Sequence, residues 1–75
     1  MEELMTILSE IRPDVDFETE TKLIDNGILD SFDIISIVGE VNTEFDVEIN
    51  VEYLLPENFN SAEAIYELIC KLQDE

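Results

Sequence analysis

The stretch Leu29 to Phe45, LDSFDIISIVGEVNTEF, decides how this chain folds. At 100° per residue, Ile34, Ile37, Val38, Val41 and Phe45 fall within about 100° of one another, which defines the core face of a helix. Its start is also written in the sequence. Asp30 can accept an orphan backbone N–H as N-cap, and Asp33 stands at the third helical position, where the acidic partner of a capping box belongs. Both carboxylates face the positive end of the helix dipole. A helix running to about Asp46 is predicted, with Asp33, Glu40 and Glu44 expected roughly opposite the core stripe. Phe32, Ile35 and Gly39 fall within about 60° of one another outside that stripe.

Working outward, Leu4, Ile7, Leu8 and Ile11 recur at helical spacing within Met1 to Ile11, and Pro13 disfavours helical geometry at Arg12, so a first helix ends there. Met5 falls to one side of that stripe. Pro13 to Asp30 then reads as a loop of about 18 residues, long enough to need packing of its own or a function. A turn is expected at Asp25-Asn26-Gly27, with Phe17, Leu23 and Ile28 pinning the loop down. Downstream, Val51 to Leu55 is a short apolar run closed by Pro56, supporting at most one helical turn. Asn60 with Glu63 forms a second capping-box signature, and Ile65, Leu68, Ile69 and Leu72 give the stripe of a final helix. The expected fold is a small all-α bundle of three main helices plus one short one, a single domain over residues 1–75, with its long loop between the first and second helices.

Charge and composition narrow the function. Twenty acidic residues against three basic ones give a net charge of −17, which repels nucleic acid and anionic membranes and favours partners with basic surfaces. The 45% hydrophobic content is too high for charge-driven disorder. A chain of 75 residues has little room for a deep catalytic cleft. The single cysteine, Cys70, has no partner for an internal disulfide, and no histidine is present to build a zinc site or activate a nucleophile. Cys70 reads as a small filler on the rim of the last helix rather than a reactive thiol, which wants cationic or helix N-terminal surroundings, since Lys71 is the only cation nearby. Asp14, Asp16, Glu18 and Glu20 miss the calcium-loop pattern, which wants glycine at Thr19 and a bidentate glutamate at Asp25. No basic segment precedes an apolar run at the N-terminus, and no apolar stretch nears the roughly 20 residues of a membrane span. A cytoplasmic monomer without membrane insertion is expected.

Ser31 has no base to activate it, because Asp30 and Asp33 are drawn into capping. It stands instead where the first backbone N–H groups and the dipole of a helix favour a phosphate. From position alone two readings stay open: a plain first-turn residue beside the cap, or a hydroxyl acted on by another enzyme.

The segment LIDNGILDSFDIISIV (Leu23 to Val38), followed by EFDVEI (Glu44 to Ile49) and PENFNSAEAIYELI (Pro56 to Ile69), resembles the acyl carrier protein family over nearly the whole chain. The family's Asp-Ser-Leu motif is present as Asp30-Ser31-Phe32, its recurrent Phe at the end of the second helix as Phe45, and its helix-opening Ala-Ile as Ala64-Ile65. The resemblance implies that Ser31 carries 4′-phosphopantetheine, transferred from coenzyme A by a separate phosphopantetheinyl transferase. It implies a carrier rather than an enzyme, with acyl or aminoacyl cargo held as a thioester on the arm. The further partners would be a loading enzyme and a downstream acyltransferase or synthase.

Departures from the family bear on type. Phe32 replaces leucine, a variant shared with D-alanyl carriers and some modular-synthase carriers. Ser36, Asn42 and Thr43 stand where fatty-acid carriers are typically acidic, and Gly39 stands where they commonly have a bulky apolar residue, which argues against docking to the ordinary fatty-acid enzymes. Gly39 reads either as a point of close approach of a partner or of the arm, or as a tolerated weak point. Phe32 and Ile35 either pack under the loop or, with Gly39, form an apolar docking patch beside Ser31, flanked by Asp33, Ser36, Glu40 and Glu44, and the resemblance implies that Asp30 is also a contact for the transferase. The alternative to a carrier is an unmodified acidic interaction module, such as an inhibitor that imitates nucleic acid.

Overall fold

Three amphipathic helices bury the apolar stripes of the sequence against one another. The computed structural model describes residues 2–74, and every regular element among the described residues is helical. The elements are α1 (Glu2–Ile11), α2 (Ser31–Phe45), a 3₁₀ turn (Val51–Tyr53), the short α3 (Pro56–Phe59) and α4 (Ala62–Gln73). Met1, expected at the head of the first helix, lies outside the described residues. Leu4, Ile7 and Leu8 of α1, Ile37 and Val41 of α2, and Ile65, Leu68 and Ile69 of α4 are buried together with Phe59. Removing that apolar area from water is the main favourable term in a domain this small. Ile11, Val38, Phe45 and Leu72 are half-buried and close the rim of the core, whereas Ile34, expected on the core face, is half-buried without joining it, as it lies in the first turn of α2 at the end of the stripe. α1 packs on α2 and α4, and α3 packs on α4, giving a body of 31 × 23 × 20 Å. No helix among the described residues is long and apolar enough to cross a membrane.

The connection from Arg12 to Asp30 is a chain of turns. The Val15 N–H donates to the Arg12 carbonyl, and the Glu18 N–H to the Asp16 side chain. Further on, the Asn26 N–H bonds the Lys22 carbonyl at 2.8 Å and the Gly27 N–H bonds that of Ile24 at 3.0 Å. Gly27 closes this turn at φ 69°, a left-handed conformation that glycine adopts without a Cβ clash. Phe17 and Leu23 pin the loop as expected, but the third buried anchor is Leu29 and not Ile28. The chain bends at residues 28 and 29, which turns Leu29 inward and leaves Ile28 half-buried.

Two expectations are corrected downstream. Pro56 opens a helix instead of closing an apolar run, so two short turns form where one was expected. Proline suits this first helical position because its missing N–H would be unpaired there anyway. Val51, Leu54 and Leu55 remain exposed, and Phe59 is the residue that enters the core. The cap of α4 is Ser61 and not Asn60; its hydroxyl accepts the Ala64 N–H at 3.0 Å. Asn60 is committed elsewhere. Its side-chain oxygen accepts the Ile24 and Asp25 N–H groups at 3.0 and 3.1 Å, its amide donates to the Asp25 carboxylate, and its carbonyl accepts the Leu23 N–H.

Asn60 therefore ties the middle of the long loop to the start of α4. Asn60→Ala removes the partner of a half-buried N–H, Ile24's, and is expected to cost about 2 kcal/mol in urea unfolding at fixed salt, on the scale of a donor left unsatisfied. An unchanged midpoint would mean that the loop's turns close without Asn60.

Candidate functional site

Ser31 is the first residue of α2 and is exposed. The capping box around it is complete. The Asp33 N–H donates to Asp30 Oδ1 at 3.0 Å, and the Asp30 N–H donates to Asp33 Oδ2 at 3.2 Å. Asp30 is extended, with φ −108° and ψ −175°, and its carbonyl accepts the Ile34 N–H as the first bond of the helix. The serine hydroxyl thus rides on a helix end whose geometry is set by both neighbouring carboxylates.

A third group, absent from the sequence reading of this site, completes it. Arg12, just past the end of α1, donates from one terminal nitrogen to Asp33 Oδ2 at 2.6 Å and to the Ile28 carbonyl at 2.9 Å. Its other face holds both oxygens of the Asp14 carboxylate, at 3.0 and 3.1 Å. Hydrogen bonds from this guanidinium keep the Asp14 carboxyl below the usual carboxylate range, while the bonds to Asp14 and then Asp33 hold the guanidinium itself further above its ordinary value. One side chain so joins the end of α1, both ends of the loop and the first turn of α2. Its rarity was the only signal in the sequence: the chain has three basic residues in all.

The placement of Asp33 opposite the core stripe is corrected. Asp33 lies one turn before Ile37, beside the core face, and its side chain is 15% exposed against Arg12. The other expected positions, Asp30, Phe32, Ile35, Ser36, Gly39, Glu40 and Glu44, are all exposed. Phe32 is 80% and Ile35 65% exposed, so neither packs under the loop. The two leave a run of apolar surface on the outer side of α2, next to Ser31.

Two of the unusual positions on α2 have local roles. The Asn42 side chain accepts the Ile49 N–H at 3.0 Å, fastening the chain after the helix, and the Thr43 hydroxyl donates to the Gly39 carbonyl at 3.1 Å. Away from this site, the Cys70 thiol is half-buried, and its hydrogen bond holds the Tyr66 hydroxyl above the ordinary phenol range. Open grooves between α1, the loop and the start of α4 are lined by residues such as Met5, Phe17, Glu18 and Glu63, none of them in α2. No group of three or more acidic or thiol side chains among the described residues is arranged to hold a metal ion. The chain has no histidine, and the carboxylates of Asp30 and Asp33 are engaged in the capping bonds. The arrangement presents a hydroxyl. Comparison with protein-family models and with curated proteins finds no match.

Within the chain the position is open: a Cβ added at Gly39 meets nothing within 4 Å. Gly39→Ala is accordingly expected to raise stability by about 1 kcal/mol, the propensity difference between the two residues. Destabilisation in thermal or urea unfolding would contradict the open surface seen at this position.

Proposed function

We propose that this chain is a phosphopantetheine-dependent acyl carrier, with Ser31 as the attachment site. The observation that carries the reading is an exposed serine at the first position of a fully capped 15-residue helix, set in a chain that resembles acyl carrier proteins from Leu23 to Ile69. Ser31 fits the group by its surroundings. Unpaired N–H groups of the first helical turn and the positive end of the dipole favour a phosphodiester there.

In this reading the chain supplies the acceptor and a separate transferase supplies the base and metal. The Ser31 oxygen gains a bond to the phosphorus next to the pantetheine half of coenzyme A, the bond from that phosphorus to the nucleotide half breaks, and the hydroxyl proton passes to the transferase's base. Once attached, the arm brings the thiol on which acyl or aminoacyl cargo rides as a thioester. Asp30 serves first as cap, and its free carboxylate oxygen faces solvent beside Ser31 for a basic transferase. Phe32, Ile35 and the bare backbone at Gly39 offer partner enzymes an apolar contact, while Ser36, Glu40 and Glu44 line its margin. An acidic rim around an apolar contact steers basic partners by long-range attraction and holds them by burial.

Coexpression with a phosphopantetheinyl transferase should raise the intact mass by one phosphopantetheine, and Ser31→Ala should abolish that gain with little change in helical content. Wild type without any gain would leave the acidic interaction module as the reading of this chain. For docking, Ile35→Asp should cut transfer to or from a partner enzyme at least tenfold, the scale of one lost apolar anchor. A melting curve recorded beside the assay checks that the variant is folded, and wild-type transfer by a folded Ile35→Asp protein would place docking elsewhere.

A further inference from the structure

The carboxylate of Asp33 belongs to the same first turn of α2 as the acceptor hydroxyl, two residues along, so its charge bears on an incoming phosphate. Left alone it would oppose that phosphate. It is not left alone: Arg12 binds its Oδ2 at 2.6 Å, with the arginine 28% and the aspartate 15% exposed. At such a distance the pair is a charge-assisted hydrogen bond partly shielded from solvent, so the two charges offset each other locally. Lys22 and Lys71 make no ion pair in the described residues, so among the chain's three basic residues Arg12 alone performs this neutralisation. The guanidinium is also fixed in place from behind, by the Asp14 carboxylate and the Ile28 carbonyl. Such anchoring holds it to one geometry at a small further loss of side-chain freedom.

We infer that Arg12 is a positioning residue for the modification of Ser31: by offsetting part of the charge of Asp33, with a cation shared with Asp14, it lowers the negative charge that the start of α2 presents to a phosphodiester. The inference rests on the carrier reading of Ser31 and adds to it a role for a residue just past the end of α1. Asp33 retains its capping duty throughout, since the oxygen that binds Arg12 also accepts the Asp30 N–H. Its charge is what Arg12 offsets at this end of the helix.

The test compares rates of modification by one phosphopantetheinyl transferase with coenzyme A for wild type, Arg12→Gln and the double variant Arg12→Gln with Asp33→Asn. Uncovering Asp33 should lower kcat/KM about tenfold, the kinetic equivalent of one charge-assisted hydrogen bond. The deficit should shrink as salt is raised from 0.1 to 1 M, because the Debye length falls from about 10 Å to about 3 Å. The double variant lacks the ion pair but also lacks the opposing charge, and should return to within about threefold of wild type. A purely structural clasp predicts the reverse, since the double variant restores nothing between α1 and α2. Melting curves of all three proteins establish that each is folded at the assay temperature. Arg12→Gln modified as fast as wild type, or a double variant as slow as Arg12→Gln, overturns the inference while leaving Ser31 as the site. Wild type that is never modified overturns the carrier reading and this inference with it.

Discussion

The guanidinium of Arg12 is the point on which the geometry around Ser31 depends. A chain with a net charge of −17 repels itself, and most of its carboxylates can be tolerated only because they are spread over the surface. Asp33 is different, being tucked beside the core face of α2 with its side chain 15% exposed. A carboxylate held there needs a cation or several donors, since burial without them disfavours the charged form. Arg12 supplies the cation and the Asp30 N–H a further donor. The same guanidinium also binds the Ile28 carbonyl and Asp14, so the loop is drawn together at its base by the group that completes the capping box. Loop base, helix start and the setting of Ser31 thus share one guanidinium.

The core that carries this arrangement is small but continuous. Leu23 and Phe17 bring the loop into the same cluster as Leu4, Leu8, Ile37, Val41, Phe59, Ile65 and Ile69. Asn60 fastens the loop's middle to the start of α4 by backbone and side-chain bonds. The long connection is thus held at its base by Arg12, in its interior by apolar side chains and at its far turn by Asn60. With the loop fixed on the inner side of α2, the outer side is left open, and Phe32, Ile35 and Gly39 stay exposed there beside the serine.

Much of this was legible in the sequence, and the division follows the range of the interactions. Helical stripes and the Asp30–Asp33 box are set by residues within a turn or two of one another, so spacing alone places them. The Arg12–Asp33 pair joins residues 21 apart, and no local pattern announces such a contact. Asn60 shows the same limit from another side. Asn60 with Glu63 is a sound capping signature, yet bonds to Ile24 and Asp25 outcompete it, and Ser61 takes the cap because its hydroxyl has no distant claim. Pro56 has two local meanings, the end of an apolar run or the first position of a helix, and packing of Phe59 against the core selects the second. Of the candidate site, the serine and its exposed neighbours could be named from the sequence, whereas the cation that shapes it could not.

The central claim is that Ser31 is presented, by a capped helix start and a neutralised neighbour, to receive phosphopantetheine. Fragmentation mass spectrometry of peptides from protein incubated with coenzyme A and a phosphopantetheinyl transferase tests this most directly, because the chain offers Ser9, Ser36 and Ser61 as competing hydroxyls. The account predicts that the whole added mass maps to Ser31, with the other serines unmodified. Modification spread over several serines, confined to another one, or absent from the wild-type chain would contradict it.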